Sequence, residues 1–400
     1  MNASDSVRRA LPDHDPDSLA GWLAQHDTPW SQPFRAKQLL QHWFHRFTPD
    51  YAAMSDLPAG LRDLLADELP IDPLREVDRQ DDAHGSTKLA VMPFDDGGTR
   101  GNGVVECVIM RDATRDSRTI CISTQIGCAM GCRFCASGLG GLVRNLTAGE
   151  ILAQVWHAGR ILHAEGHGSG GTDGRRGRRA RASAAKESDG APTITNIVFM
   201  GVGEPLANIT HTLAALRAIT EPWGFAMSPR RVTVSTVGLV PGIYRLAESG
   251  IGVNLAISLH AADDETRARI MPARPGLPPG ATAADVADAT VERLMDAADH
   301  YFGVTGREVT IEFILLPGVN DHQAAALADL IHRHKAGRYN VNVIPYNRVS
   351  EFEWREPTDD ETSGFLSELR DRGVNVHARK RMGYGIDGAC GQLRLNRANA

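Results

Sequence analysis

The 400-residue chain has no uninterrupted apolar run near the ~20 residues that a membrane-spanning helix requires. Its first residues, MNASDSVRRALPDHDPDS, lack the apolar core of a secretory signal. Both absences lead to the expectation of a cytoplasmic protein with reduced thiols and no membrane partner. Cysteine is scarce. Six residues in so long a chain make a poor disulfide framework, and metal binding or thiol chemistry is the better reading. Positive charge is not in surplus either: 43 Lys+Arg stand against 49 Asp+Glu, a net charge of −6. Residues 1–100 carry most of that imbalance, with 10 basic and 17 acidic side chains. A nucleic-acid partner would therefore have to be met by local basic patches rather than a globally basic surface.

What is present suits a folded enzyme-sized protein. The chain is 42% hydrophobic and 23% charged, enough for a sizeable core and unlike a disordered chain. The length suits one large domain and a smaller one. Residues 1–100 read as a small helical domain plus the start of a hairpin. Apolar residues recur at helical spacing in 18–26, 34–47 and 59–69, with Pro33 and Asp56 as candidate start signals. Strands of a hairpin are expected at 88–94 and 104–110. From residue 119 onward, strands at 119–124, 195–200, 231–236, 252–259, 308–316 and 340–345 alternate with helical patterns at 147–163, 209–220, 241–249, 289–302 and 321–335. This repetition points to an α/β fold with parallel strands, a partial (β/α)6 barrel over 101–400, with a doubly wound open sheet as the alternative. Residues 166–190 hold seven Gly and no large apolar residue and read as a surface insertion. Their Arg cluster, Arg175 to Arg181, is either solvated or touches RNA. Residues 274–282 read as a second loop.

The sharpest motif is GCAMGCRFCASG. Cys128, Cys132 and Cys135 form C-x3-C-x2-C just after an expected strand. Three thiolates on one loop can each take a different iron of a cubane cluster and leave the fourth iron for a small molecule. Gly127 and Gly131 permit the tight wrapping such a loop needs. Zinc is the competing reading, but zinc sites usually pair two C-x2-C knuckles or add histidines. No second knuckle exists, and the nearest downstream histidine is His157.

With these residues in view, the chain resembles the radical S-adenosylmethionine (SAM) enzymes, whose signature is C-x3-C-x2-C with an aromatic before the third Cys. More closely, RTICISTQIGCAMGCRFCASG, the GEPL of FMGVGEPLAN, VSTVG, ISLHA, PYN, GACGQL and the N-terminal PFRAKQLLQHWF and LPAGLRDLL resemble the 23S rRNA (adenine-C2)-methyltransferase family, which also acts on tRNA. The resemblance spans about residues 20–395. It implies a [4Fe-4S] cluster on the three cysteines, two SAM molecules per turnover, and an electron donor such as flavodoxin or ferredoxin. It also implies SAM contacts at Gly203, Glu204, Ser235, Ser258, Leu259, His260 and Asn347, and a monomer.

The implied chemistry uses two further cysteines. Cys390 accepts a methyl group from one SAM, and a second SAM supplies a radical that removes a hydrogen from it. The methylene radical adds to adenine C2, and Cys121 then attacks the sulfur of Cys390, forming a transient disulfide that releases the product. Glu106 matches the family's proton acceptor, although the stretch from Glu106 to Cys121 is about two residues longer than the family pattern, which an extended hairpin loop would absorb. The Pro272-Ala273-Arg274 run departs from the family's PIN-like run. Cys107 should point to the opposite strand face and act as a small buried hydrophobe. RNA contacts are expected in residues 372–400, with six Lys+Arg against one acid, including Arg379, Lys380 and Arg381, and on an N-terminal face bearing Arg35, Lys37, Arg46 and Arg62. Two rivals remain: the related adenine-C8 methyltransferase of the antibiotic-resistance type, and a non-catalytic, zinc-stabilised RNA-binding protein.

Overall fold

The computed structural model describes residues 9–394 except 27–28, 31, 95–102, 169–192, 273–289, 335–337 and 380–381. Most of the insertion expected at 166–190, with its Arg cluster, lies outside the described residues. So do the loop at 274–282, Ala273, Arg274, Lys380, Arg381 and residues 395–400.

Three helices open the fold: α1 (Pro16–Gln25), α2 (Pro33–Phe44) and α3 (Ala59–Glu68). Asp15 starts α1 by accepting the Ser18 backbone N–H at 2.7 Å, with Pro16 as the first helical residue. Pro33 does the same for α2. Asp56 does not cap α3, which begins after Pro58 without a side-chain cap. Its carboxylate instead meets His42 Nε2 at 2.6 Å and ties α2 to the turn before α3.

A four-stranded antiparallel meander follows, made of β1 (Leu74–Asp81), β2 (Ser86–Pro93), β3 (Val105–Asp112) and β4 (Ser117–Cys121). A two-stranded ribbon of β5 (Gln125–Gly127) and β6 (Leu142–Asn145) then brackets the cysteine motif. Six strands continue the main sheet parallel to β4: β7 (Asn196–Phe199), β8 (Val232–Thr236), β9 (Asn254–Ser258), β10 (Val309–Leu315), β11 (Tyr339–Pro345) and β12 (Val376–Ala378). The ten strands run in the order β1-β2-β3-β4-β7-β8-β9-β10-β11-β12, so the sheet stays open, with β1 and β12 as its edges. The six expected parallel strands are all present. Strands β1, β5, β6 and β12 are additional.

The connecting helices are α4 (Ala148–Gly168), α5 (Ile209–Thr220), α6 (Val240–Glu248), α7 (Asp264–Ile270), α8 (Val291–Thr305), α9 (Ala324–Arg333) and α10 (Asp359–Asp371). α4 meets α5, α5 meets α6, α6 meets α8, and α9 meets α10. None is long and apolar enough, among the described residues, to cross a membrane.

Strand alternation assigns the two sheet faces different work. On β10, Ile311, Phe313 and Leu315 join the main hydrophobic core, which extends from Leu11 to Val376. Ile314 belongs to a separate cluster with Phe134, Ala261 and Tyr346 on the other face. On β3, Cys107 and Ile109 enter the main core while Val108 packs with Cys121, Val202 and Leu393. The N-terminal helices share the main core: Trp43 stacks on Trp156 of α4 at 5.7 Å, and Phe44 meets Phe225 edge-on at 4.9 Å. The face opposite the main core carries Phe134 of the cysteine motif and, on β4, Cys121.

Candidate active site

The cysteine loop is wound by glycine and stitched at both ends. Gly127 has φ +74°, and a Cβ there would lie 2.0 Å from the Gly141 carbonyl oxygen. Gly131 also has positive φ, +64°. The Cys128 N–H donates to Gly141 O at 2.9 Å, and the Cys135 N–H to Cys132 O at 3.2 Å. Arg133 N–H donates to Ile270 O at the end of α7, at 2.8 Å. The C-terminal segment closes the other side: Ala136 N–H donates to Gly391 O at 2.7 Å, and Ser137 Oγ to Leu393 O at 2.8 Å.

Burial and the like charge of neighbouring thiols push the Cys132 thiol well above its usual range. Burial pushes Cys128 up to about 12, and Cys135 upward as well. Thiols so placed ionise when a metal supplies positive charge, and three soft donors on one loop fit an iron–sulfur cluster. Among the described residues no three His, Cys, Asp or Glu side chains converge on a single-ion site.

Of the strand-end residues expected to bind SAM, Gly203 and Glu204 lie beside Cys128, His260 lies against Phe134, and Asn347 shares a cavity with Cys135. Gly203 has φ +108°, and a Cβ there would lie 2.7 Å from Gln125 Cβ. Glu204 follows it, with its own N–H on Gln125 Oε1 at 2.8 Å. The Glu204 carboxylate is buried and accepts from Leu206 N–H at 3.0 Å and Val237 N–H at 2.8 Å, while burial raises its pKa to about 7. Ser235 and Ser258, on adjacent strands, place their hydroxyl oxygens 3.5 Å apart. Leu259 is fully buried, and its N–H reaches Glu312 O at 3.1 Å.

His260 holds φ +61°. Its Nδ1 accepts the Ile314 N–H at 3.0 Å, and burial lowers its pKa to about 3, so the ring is neutral with its proton on Nε2. The ring packs edge-on against Phe134, the aromatic of the cysteine loop, at 4.8 Å. Asn320 had no role in the sequence reading. It fixes this corner by donating to His260 O at 2.8 Å and Ile314 O at 2.6 Å and accepting from Leu316 N–H at 2.8 Å.

A small cavity, open to solvent, joins the remaining residues. Cys121, Cys135, Asn347, Arg379 and Cys390 all line it. Asn347 Nδ2 donates to Cys390 O at 3.1 Å. All six cysteines are free thiols. Burial raises the Cys121 thiol to about 12, with a smaller push from the charge of Cys390, while the Arg379 guanidinium pulls it down. Arg379 is thus a cavity residue and not part of a solvated basic tail. Its Nη1 lies 3.6 Å from Glu312 Oε2, its Nη2 contacts Met200 Sδ at 3.1 Å, and the charge of Cys390 raises its pKa. The run of basic residues hid this role, because only the strand β12 just before it fixes which side chain turns inward.

Glu106 lies on the same strand face as Val108, which pairs directly with Cys121, and the longer 113–116 turn leaves that register intact. It is 2% exposed and does not line the cavity. Lys88 Nζ sits 3.2 Å from Oε1, and the Arg394 N–H donates to Oε2 at 2.8 Å. Cys107 points to the main core, where burial drives its thiol strongly upward. On the N-terminal helices, Lys37 and Arg46 are exposed. Arg46 contacts Asp56 at 3.7 Å, and Arg62 donates to Ala52 O at 2.8 Å.

Residues 122–331 match the model of the Radical SAM superfamily. The open parallel sheet and the three-thiol loop at its strand ends are those of a radical SAM enzyme. A crystal structure of a radical SAM methyltransferase from Sphaerobacter thermophilus is similar, with TM-score 0.80 and 36% identity over 96% of this chain and 99% of that one. Two curated relatives are each described as a probable dual-specificity RNA methyltransferase RlmN. The Thermobifida fusca protein is 40% identical over 98% of this chain and 96% of its own length, and the Rhodopirellula baltica protein 38% identical over 95% and 89%. The chain belongs to the RlmN family of dual-specificity RNA methyltransferases.

Proposed function

We propose that this enzyme methylates C2 of a specific adenosine in 23S rRNA and in tRNA, through a methylated Cys390 and a transient Cys121–Cys390 disulfide. Adenine C2 is not nucleophilic. A reduced [4Fe-4S] cluster on Cys128, Cys132 and Cys135, together with two SAM molecules per turnover, supplies the electron and radical such a carbon requires. Gly203, Glu204, Ser235, Ser258, Leu259, His260 and Asn347 hold SAM, with Glu204 accepting from its amino group.

The thiolate of Cys390 forms a bond to the SAM methyl carbon as the sulfonium sulfur leaves. After hydrogen removal and addition to adenine C2, the adduct radical has to give up one electron, for which the cluster would be the acceptor. Cys121 then attacks the Cys390 sulfur; the S–C bond breaks with its electron pair going to the product carbon, which takes a proton to complete the methyl group, and a disulfide forms that an external reductant must reopen. Glu106 takes the C2 proton. Its cover of Leu393 and Arg394 has to shift for the base to reach it, and a flipped adenine enters where that cover opens. The helical segment within residues 1–100 acts as an RNA-recognition domain beside a 101–400 catalytic domain. A flavodoxin- or ferredoxin-like donor, a monomeric state and a cytoplasmic location belong to the same reading.

One observation carries it: Cys121 and Cys390, distant in sequence, line one cavity beside cluster ligand Cys135. The test uses reconstituted protein and methyl-labelled SAM. Label should appear on Cys390, and a Cys390→Ala variant should neither take label nor methylate RNA. Mass spectrometry of 23S rRNA and tRNA from cells with and without the protein should show 2-methyladenosine. An 8-methyl product would overturn the carbon assignment, and full activity of Cys390→Ala would overturn the covalent route.

A further inference from the structure

Arg267, on α7, is 7% exposed and has no carboxylate within ion-pair distance among the described residues. Its Nη2 donates to Val237 O, while its Nε is buried with no hydrogen-bond partner. A buried guanidinium without a counter-ion is expensive, so such a group needs negative charge from somewhere. Among the described residues the one acid acting on it is Asp264, an exposed residue whose carboxylate already accepts the Val291 N–H. The other nearby group able to carry negative charge is Cys132, as a metal-bound thiolate; it lines a small second cavity together with Arg267, Met130, Val237 and Met271. His260 is neutral and contributes no charge.

The geometry holds the guanidinium in place. The Val237 peptide is gripped from both sides, its N–H by Glu204 at 2.8 Å and its carbonyl by Arg267. The C-terminus of α7 is pinned to the cysteine loop through Ile270 O and Arg133 N–H. The charge therefore cannot swing out to solvent without giving up its bond to Val237 O.

We propose that Arg267 is the fixed counter-charge of the iron–sulfur cluster, placed on its Cys132 side, and that it raises the cluster's reduction potential. The step concerned is the gain of one electron by the oxidised cluster from an external one-electron donor. A buried cation favours the more negative, reduced state. This inference rests on the family's cluster and not on which adenine carbon is methylated. Its test contains no RNA, so the two can fail separately.

The test is a potentiometric titration of full-length, anaerobically reconstituted protein without SAM, using dithionite and mediators and reading the reduced cluster by electron paramagnetic resonance. Arg267→Gln and Arg267→Met should lower the reduced-to-oxidised ratio at a fixed potential roughly tenfold, as expected for a unit charge on the order of 10 Å away at an effective dielectric of about 20. For one electron that is about 59 mV. Arg267→Lys keeps the charge and should stay near wild type. If both neutral variants fold by circular dichroism but hold no iron while Arg267→Lys does, the requirement for charge is upheld. Wild-type potentials in the neutral variants would overturn the proposal. So would equal loss of iron in all three variants, or a normal potential with weakened binding of labelled SAM, which would assign the guanidinium to the SAM carboxylate.

Discussion

Two glycines of the β5–β6 ribbon provide a matched test of how the cysteine loop is closed. Gly127 and Gly141 both have left-handed φ, +74° and +68°, so an alanine at either position carries a similar backbone strain of about 1–2 kcal/mol. They differ in what a Cβ would meet. At Gly141 nothing lies within 4 Å, whereas at Gly127 the Gly141 carbonyl oxygen is 2.0 Å away, and real Cβ atoms essentially never come within 3.0 Å of such an atom. Gly127→Ala must therefore push the ribbon strands apart by about 1 Å or more. That displacement removes the 2.9 Å bond from Cys128 N–H to Gly141 O and leaves its groups unpaired, an added cost of about 2–4 kcal/mol. At 1.4 kcal/mol per tenfold, the closed loop should lose about thirtyfold or more of its population. Iron and sulfide content and cluster absorbance after anaerobic reconstitution measure this. Gly141→Ala should load close to wild type, and Gly127→Ala should load poorly. Equal loading of the two variants would refute the reasoning.

Other outcomes follow from the same geometry. Arg379→Gln removes the cation beside Cys390 and Cys121. Transfer of labelled methyl to Cys390 should slow about tenfold with iron content unchanged, and Arg379→Lys should recover part of the rate. Asn320→Ala strands three buried backbone groups around His260, an expected loss of about 3–6 kcal/mol visible as a lower denaturation midpoint. His334 has its pKa raised against the opposing effect of burial by Glu292 and Asp299, at 2.8 and 3.2 Å. The stabilisation this gives the α8–α9 contact is full below about 6.5 and is lost as pH rises through the higher folded value. Protection of the α9 amides, measured against their intrinsic base-catalysed exchange rate, should therefore fall with rising pH, and His334→Gln should flatten that dependence.

The parallel part of the fold was legible because each of its strands is a short Val/Ile-rich run bounded by a helix. Strand β1 was not: after Leu74 all seven of its residues are exposed, so LREVDRQD has no apolar alternation to read. Strand β12 is three residues long, too short for any periodic signal. Helix α10 does carry a start signal in its sequence, the capping box of Thr358 and Glu361. Within the site, the cysteine spacing and strand-end positions were visible in the sequence. The long-range pairings were not. Nothing local indicates that Arg379 turns toward Glu312, that Lys88 meets Glu106, or that Arg267 lies buried beside Cys132. Arg379 reads in the sequence as one of a run of RNA-contacting cations, and Arg267 carries no signal at all, because burial is a property of the assembled sheet.

Strand β1 has a second consequence. An open ten-stranded sheet presents a free rim of backbone donors and acceptors that another chain could extend. Here that rim bears Arg75, Glu76, Asp78, Arg79 and Asp81, with Arg79 bonded to Asp81 at 3.0 Å and an irregular register between Glu76 and Asp78. A strand approaching from outside would have to desolvate these charges and match a bent ladder. The polarity that hides β1 from pattern reading also keeps one molecule's sheet from templating the next.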